Sequence, residues 1–485
     1  MPNPGSSPSQ AIQADTTRAS QDLQRRLTER QLVMIAIGGA VGVGLFLGSS
    51  VTISLAGPAV ILTYFLGAVI GLIMAYALAE MAVVHPVAGS FGIYAERYLN
   101  PWSGFTVRAT YGLIQIVGIG AEVTAVAIYF RYWFPNTPQW LWVTVVSLGI
   151  VAINATQVGN FGEFEYWFSL VKVVAIVVFI VVGLALIAGL SPRPALGFVN
   201  LTAYGGFLPH GWRGVWLALT LGLASFLGLE AVAVAAGEAR RPEEAIPRAM
   251  RTTVFRLILF YVLAITVMVT ITPWNQSGDG TVLGSPFVRA YAAIGIPYAA
   301  LIMNLVVITA ALSAANTLLY LSTRMLFSLA RGNYAPAVLG RLSANGVPLG
   351  ALAASSFGML LAILLAIYAP KRAFLLLYGS AVSGMYFVWA VILLAHLQFR
   401  RSLGARVNDL PLKLWLFPIS NVFAILVLVA VACSTFYVDG LQYSVPIFAV
   451  LLTAMSFVYW NIRRKAKPNE TAGHETTPRD SPAEH

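Results

Sequence analysis

Twelve apolar runs, each long enough to cross a bilayer, follow one another between residues 31 and 462. They cover 31–54, 58–84, 104–130, 140–158, 166–190, 212–238, 252–272, 295–323, 349–369, 373–396, 411–433 and 441–462. Crossing the hydrocarbon core as a helix takes about 20 apolar residues. The runs are continuous, whereas the strands of a membrane β-barrel alternate over segments of about 10 residues. In lipid every backbone N–H and C=O must find a partner, and a helix supplies these from within its own segment. The sequence therefore predicts an all-α integral membrane protein with 12 transmembrane helices.

Composition points the same way. Of the 485 residues 58% are hydrophobic and 10% charged, against about 45–50% and roughly 25% in soluble domains. A single cysteine, Cys433, excludes an intramolecular disulfide and a cysteine-based metal cluster. Five scattered histidines without HExxH spacing argue against a catalytic metal. The formal net charge of +11 invites a nucleic-acid partner, but its distribution speaks for topology. With the N-terminus inside, 23 Lys and Arg fall in cytoplasmic segments and 6 in outer loops, the asymmetry that orients a membrane protein. Both termini are thus expected in the cytoplasm. Residues 1–30 contain no apolar core, so no cleaved signal peptide is expected, and 463–485 read as a second polar tail.

Two runs carry signs of interruption. The first contains IGGAVGVGLFLGSS, with Gly38, Gly39, Gly42, Gly44 and Gly48 crowded together. Close helix packing through small residues is one explanation. The other is a helix unwound near Gly42-Val43-Gly44, whose free N–H groups suit an anion. The sixth run, LASFLGLEAVAVAAGEARRPEEAIPRA, places Ser225, Gly228 and the ionisable Glu230 at mid-depth. A carboxylate inside the bilayer is costly and points to function. Interruptions five runs apart are what an inverted repeat of two five-helix halves produces. The halves share no convincing residue-by-residue similarity, so the repeat rests on hydropathy and breaks alone. Glu122 in the third run and Lys172 in the fifth are also ionisable. Each either snorkels to the interface or serves proton uptake and release. Glu80, Glu163 and Glu165 fall near the cytoplasmic face, where solvation is the expectation.

From Arg30 to Arg464 the chain resembles the bacterial amino acid permeases of the amino acid–polyamine–organocation superfamily. The resemblance rests on IGGAVGVGLFLGSS with AGPAVILTYFLGAVIGLIMAYALAEMA, on AEVTA, and on FGEFEYWFSLVKVVAIV. It rests equally on SFLGLEAVAVAAGEARRPEEAIPRAM followed by TPWN, and on NTLLYLSTRMLFSLARGNYAP. It implies a LeuT-type 5+5 inverted repeat with helices 1 and 6 broken. Residues 31–190 would form the first repeat, 212–396 the second, and 411–462 two extra helices. It also implies an L-amino acid carried inward with protons, with no cofactor beyond the proton gradient.

In that resemblance the substrate carboxylate would meet the backbone of Ala40, Val41, Gly42, Val43 and Gly44. The amino group would meet the carbonyl end around Ser225, Phe226, Leu227 and Gly228, with Phe226 as an aromatic gate. Lys172 matches the family lysine standing where sodium sits in sodium-coupled relatives, and a second cation beside that ammonium would be strongly repelled. Many relatives have Thr or Ser where this chain has Val43, so the carboxylate would lean on backbone N–H groups. Val43 and Leu229 together favour a neutral or apolar substrate side chain.

The functional expectation is secondary active uptake by alternating access, with Glu122, Lys172 and Glu230 as the coupling groups. An exchanger or uniporter is the nearest alternative, and a transporter-like sensor the next. No metal motif and no nucleophile with a plausible base lies within the runs, so an enzyme is not expected. The expected partners are the amino acid and the lipid bilayer, not nucleic acid. Oligomeric state is left open.

Overall fold

The computed structural model describes residues 34, 41–46, 48–85, 90–155, 158–190, 195–226, 228–230, 233–234, 248, 259–276, 287, 298–410, 412–438 and 441–466. Among these, all regular secondary structure is helical, and eight helices are long and apolar enough to cross a membrane.

The chain bends at Val41 and Gly42 and enters α1, Val43–Phe46. Helix α2, Gly48–Ala56, follows, and a tight 3-10 turn at Gly57–Ala59 leads into α3, Val60–Val84. That corner demands glycine, because Gly57 has φ +61° and any Cβ there would collide with the Pro209 ring. Next come α4, Ser90–Tyr98, and α5, Pro101–Phe130. Asn100 caps α5 by accepting from the Ser103 amide at 2.9 Å, and Pro101 suits the first turn, where no intrahelical N–H bond is lost.

Helices α6, Gln139–Asn154, and α7, Val158–Ile187, complete the first half of the chain. Helix α8, Gly211–Gly222, tightens into a 3-10 turn at Leu223–Phe226. It is followed by a turn at 228–230 in which Gly228 takes φ +101°. Beyond it lie α9, Ala264–Ile271; α10, Ala299–Arg331; α11, Leu349–Ser355; and α12, Phe357–Tyr368. The chain closes with α13, Ala373–Leu403; α14, Ile419–Ser434; and α15, Ser444–Ala466.

Helix α5 is the central strut, packing most extensively on α10 and α13. Small residues allow the approach. A Cβ on Gly118 would come within 3.2 Å of Leu318 on α10, and one on Gly120 within 2.7 Å of the Gly358 carbonyl on α12. Lipid gives helices no hydrophobic drive to associate, so they rely on such close contact. The outer faces are apolar instead of polar: Leu148 is 67% exposed, Val181 59% and Phe457 68%. Such a surface is suited to acyl chains, not to water.

Several helices extend past the bounds predicted for their apolar runs. The apolar composition of the eighth run predicts an end at 323, whereas α10 continues to Arg331. Its polar turn stays buried, and the Arg324 guanidinium lies 4.3 Å from the Tyr320 ring centroid. Packing, not apolar composition, carries the helix on. Arg108, counted among the inner loop charges, is instead 3% exposed within α5 and paired with Glu96. The tail at 1–30 and Gly38 and Gly39 lie outside the described residues, while α15 continues through Arg463 and Arg464.

Candidate functional site

The bend at Val41–Gly42 leaves peptide groups that no helix satisfies, and two buried ionisable side chains meet them. The Val43 amide donates to Glu122 of α5, at 3.3 Å to Oε1 and 3.4 Å to Oε2. Lys172 Nζ of α7 donates to the Val41 carbonyl at 3.0 Å. A carboxylate and an ammonium thus hold two sides of one bend. Gly42 cannot carry a side chain here, because a Cβ would stand 2.6 Å from Glu122 Oε1 and 3.0 Å from Ala314 Cβ.

A cavity of about 50 Å³ adjoins this bend. A single water needs about 10–15 Å³ on the same measure, so the space suits a small solute or a few waters. Four of the sequence-predicted residues border it: Gly42, Gly44, Glu122 and Ser225. Val41 and Val43 are buried alongside. Ser225 ties the sixth run to the first, its Oγ 3.4 Å from the Gly44 carbonyl and 3.4 Å from the Tyr64 hydroxyl. Phe226 packs 4.9 Å from Tyr261 and 6.3 Å from Tyr64, centroid to centroid. It rests on Gly67 of α3, where a Cβ would come within 2.9 Å of the ring. Ala40 and Leu227 lie outside the described residues.

Glu230 does not join the other two charges on the Val41–Gly42 bend. It accepts from the Tyr111 hydroxyl at 3.0 Å and from the Gly228 amide at 3.2 and 3.3 Å, closing its own turn.

Two carboxylates expected in solvent are in fact buried. Glu165 is 0% exposed; it accepts from Ser169 at 2.9 Å, from the Ser313 hydroxyl, and from Asn316 at 3.4 Å. Asn316 in turn accepts from Asn154 at 2.6 Å. Glu80 is 1% exposed. It takes His396 Nε2 at 2.9 Å, Arg400 Nε and Nη2 at 2.7 and 2.6 Å, and the Leu414 amide. Position near the end of an apolar run says nothing about the neighbours that cover that end, here α13 and the segment before α14. Glu163 alone is exposed, accepting from the Trp167 indole at 2.8 Å.

Residues that single-sequence reading passed over also line the cavity, chiefly Gln115 and Tyr378. The Tyr378 hydroxyl sits over Gly44, 2.7 Å from where a Cβ would be. The legible signal was spacing. Gln115 precedes Glu122 by seven residues and Glu165 precedes Lys172 by seven, two helical turns each, so each pair shares a face. Among the described residues no group of three or more His, Cys, Asp or Glu could hold a metal ion.

A helical membrane protein with two buried ionisable side chains at a backbone bend beside a cavity is suited to carrying a solute. The chain matches the amino acid permease family across residues 31–470. It is 37% identical to the gamma-aminobutyric acid permease of Bacillus subtilis, over 96% of this chain and 99% of that one. It is 36% identical to the aromatic amino acid transport protein AroP of Salmonella typhimurium, over 93% and 98%. A probable threonine/serine transporter of Bacillus subtilis is 35% identical, over 94% and 99%. Among solved structures, the manganese transporter of Eremococcus coleocola shares the fold, with TM-score 0.55, 13% identity, and 96% and 97% coverage. The chain therefore belongs to the amino acid permease family and is a membrane transporter, not an enzyme.

Proposed function

We propose that this permease takes up an L-amino acid together with a proton by alternating access. In this reading all twelve spans form, both termini face the cytoplasm, and helices 1 and 6 of a 5+5 inverted repeat are broken. The bend at Val41–Gly42 and the Gly228 turn support that architecture. The names of the relatives support amino acids as the substrate class.

One observation carries the mechanism: Glu122 sits on the Val43 amide in the cavity wall. A substrate carboxylate arriving at the backbone of Ala40–Gly44 competes with Glu122 for that N–H. Two carboxylates cannot share one buried donor without severe repulsion. Glu122 therefore leaves as the neutral acid, and each substrate brings one proton. Lys172, on the neighbouring carbonyl, keeps its charge near the bend and makes a sodium ion redundant. The substrate ammonium lies toward the carbonyls around Ser225, Leu227 and Gly228, and Phe226 swings over it as a gate. Glu230, bonded within its own turn, responds to the rocking of the sixth run without touching substrate. No cofactor takes part.

The test is uptake of radiolabelled amino acids into proteoliposomes with and without an inward proton gradient. Gradient-dependent accumulation supports symport. Uptake indifferent to the gradient but accelerated by trans substrate replaces symport with exchange.

A further inference from the structure

Gln115 lies on the same face of α5 as Glu122, two turns and about 10 Å away along the helix axis. Gly118 stands between them and leaves the space open toward Leu318 on α10. All four border the same cavity. Gln115 is 2% exposed, and no acceptor lies within 3.5 Å of its Nε2 in hydrogen-bonding geometry. The Tyr111 hydroxyl beside it donates to Glu230 at 3.0 Å and leaves its oxygen as an acceptor toward the Gln115 side chain. The cavity wall next to Gln115 is Ile114 and Leu318, which offer no side-chain acceptor. A buried amide held this loosely gains when something entering the cavity completes it.

We infer that Gln115 is the specificity residue of this cavity, selecting small neutral amino acids whose side chain bears a hydroxyl or a carboxamide. This rests on the reading above, in which the substrate's carboxylate is held at the Val41–Gly44 backbone and its side chain extends along the cavity. The small volume excludes long side chains. Among the described residues of the cavity wall Glu122 is the single charged one, so an acidic side chain meets no cation among them. Hydroxyl and carboxamide groups donate and accept, so either satisfies Gln115 whichever way its amide is turned. An apolar isostere shuts water away from the amide and gives nothing in return. A site built to hydrogen-bond its substrate rejects the analogue lacking the group far more strongly than an apolar pocket rejects an extra methyl.

The experiment compares isosteric pairs on the purified full-length protein, by competition against a bound radiolabelled amino acid. The pairs are threonine with valine, serine with alanine, and asparagine with leucine. Wild type is expected to favour the polar member by about tenfold or more. Gln115→Leu is expected to erase that preference by weakening the polar member, leaving the apolar member within about twofold. Gln115→Met, closer in shape, repeats the measurement, and ligand-free melting confirms that both variants fold. An unchanged rank order in both folded variants overturns the inference while leaving the site reading intact. If no amino acid binds wild type, or if binding ignores Gly42→Ala, the site reading fails and takes this inference with it.

Discussion

The Val43 amide donates to Glu122 across the bend of the first apolar run, 3.3 Å from Oε1. This one contact joins helix α5 to the segment where a substrate's carboxylate is proposed to bind. It predicts that Glu122→Gln separates coupling from binding. The glutamine can still accept from Val43 but cannot exchange a proton. Gradient-driven accumulation should fall by about tenfold or more, the equivalent of about 1.4 kcal/mol. Exchange of labelled for unlabelled substrate across the vesicle should persist within a few-fold. Accumulation at the wild-type level would assign the proton to another group.

Gly42 is a steric requirement of the same contact. A Cβ at this position lies 2.6 Å from Glu122 Oε1 and 3.0 Å from Ala314 Cβ, both in the packed interior. Gly42→Ala should push Glu122 from Val43 and cost about 1–3 kcal/mol through overpacking. Substrate affinity should drop with it. Melting temperature and ligand-induced stabilisation, measured on the same preparation, check both expectations. A variant that melts like wild type and binds normally would show that the bend and Glu122 can part freely.

Much of the central site is legible in the amino-acid sequence. Continuous apolar runs announce helices, because lipid leaves the backbone no other partner. Glycines within the first run and the Gly228–Glu230 segment within the sixth coincide with a bend at Val41–Gly42 and a turn at 228–230. Glu122 and Lys172 stand out because a charge in an apolar run needs a partner. What did not show was which backbone groups those partners would be, since Val41 and Val43 carry no polar side chain. Glu80 and Glu165 were hidden for a related reason. Their burial depends on α13 and α10, far away in sequence, and hydropathy reports only local composition. Gln115 was invisible because an amide in a long helix is unremarkable until its face is known.

His85 ends α3, with Nε2 2.7 Å from the Tyr98 hydroxyl and Nδ1 3.5 Å from Arg97. Burial first, and then the Arg97 charge, pull its pKa from 6.5 down to about 4. The unfolded chain thus takes up a proton near pH 6.5 that the folded protein refuses until about pH 4. Between those values the unfolded state binds more protons, so stability falls as pH falls. Above pH 6.5 the group contributes no slope. His85→Gln should lose less melting temperature than wild type between pH 6.5 and 4.5. Identical pH profiles would mean that His85 is solvated in the folded protein.

Glu80 and Arg400 form a second node, remote from the cavity in sequence but fully packed. The guanidinium makes two bonds, 2.7 and 2.6 Å, to a carboxylate with no exposed side-chain surface. It also donates to the Leu414 carbonyl at 3.3 Å and stacks 5.0 Å from the Phe417 ring centroid. His396 donates from the other side and is itself held by Asn421 at 3.1 Å. This arrangement pins the end of α3 to α13 and to the approach to α14. Breaking a buried pair by removing one partner costs about 3–5 kcal/mol, because it strands the other charge. Glu80→Met and Arg400→Met should each destabilise by an amount in that range. The double variant should lose less than their sum, by about 1 kcal/mol or more. A double-mutant cycle on denaturation in detergent micelles measures this, and strict additivity would show that the two charges are solvated independently.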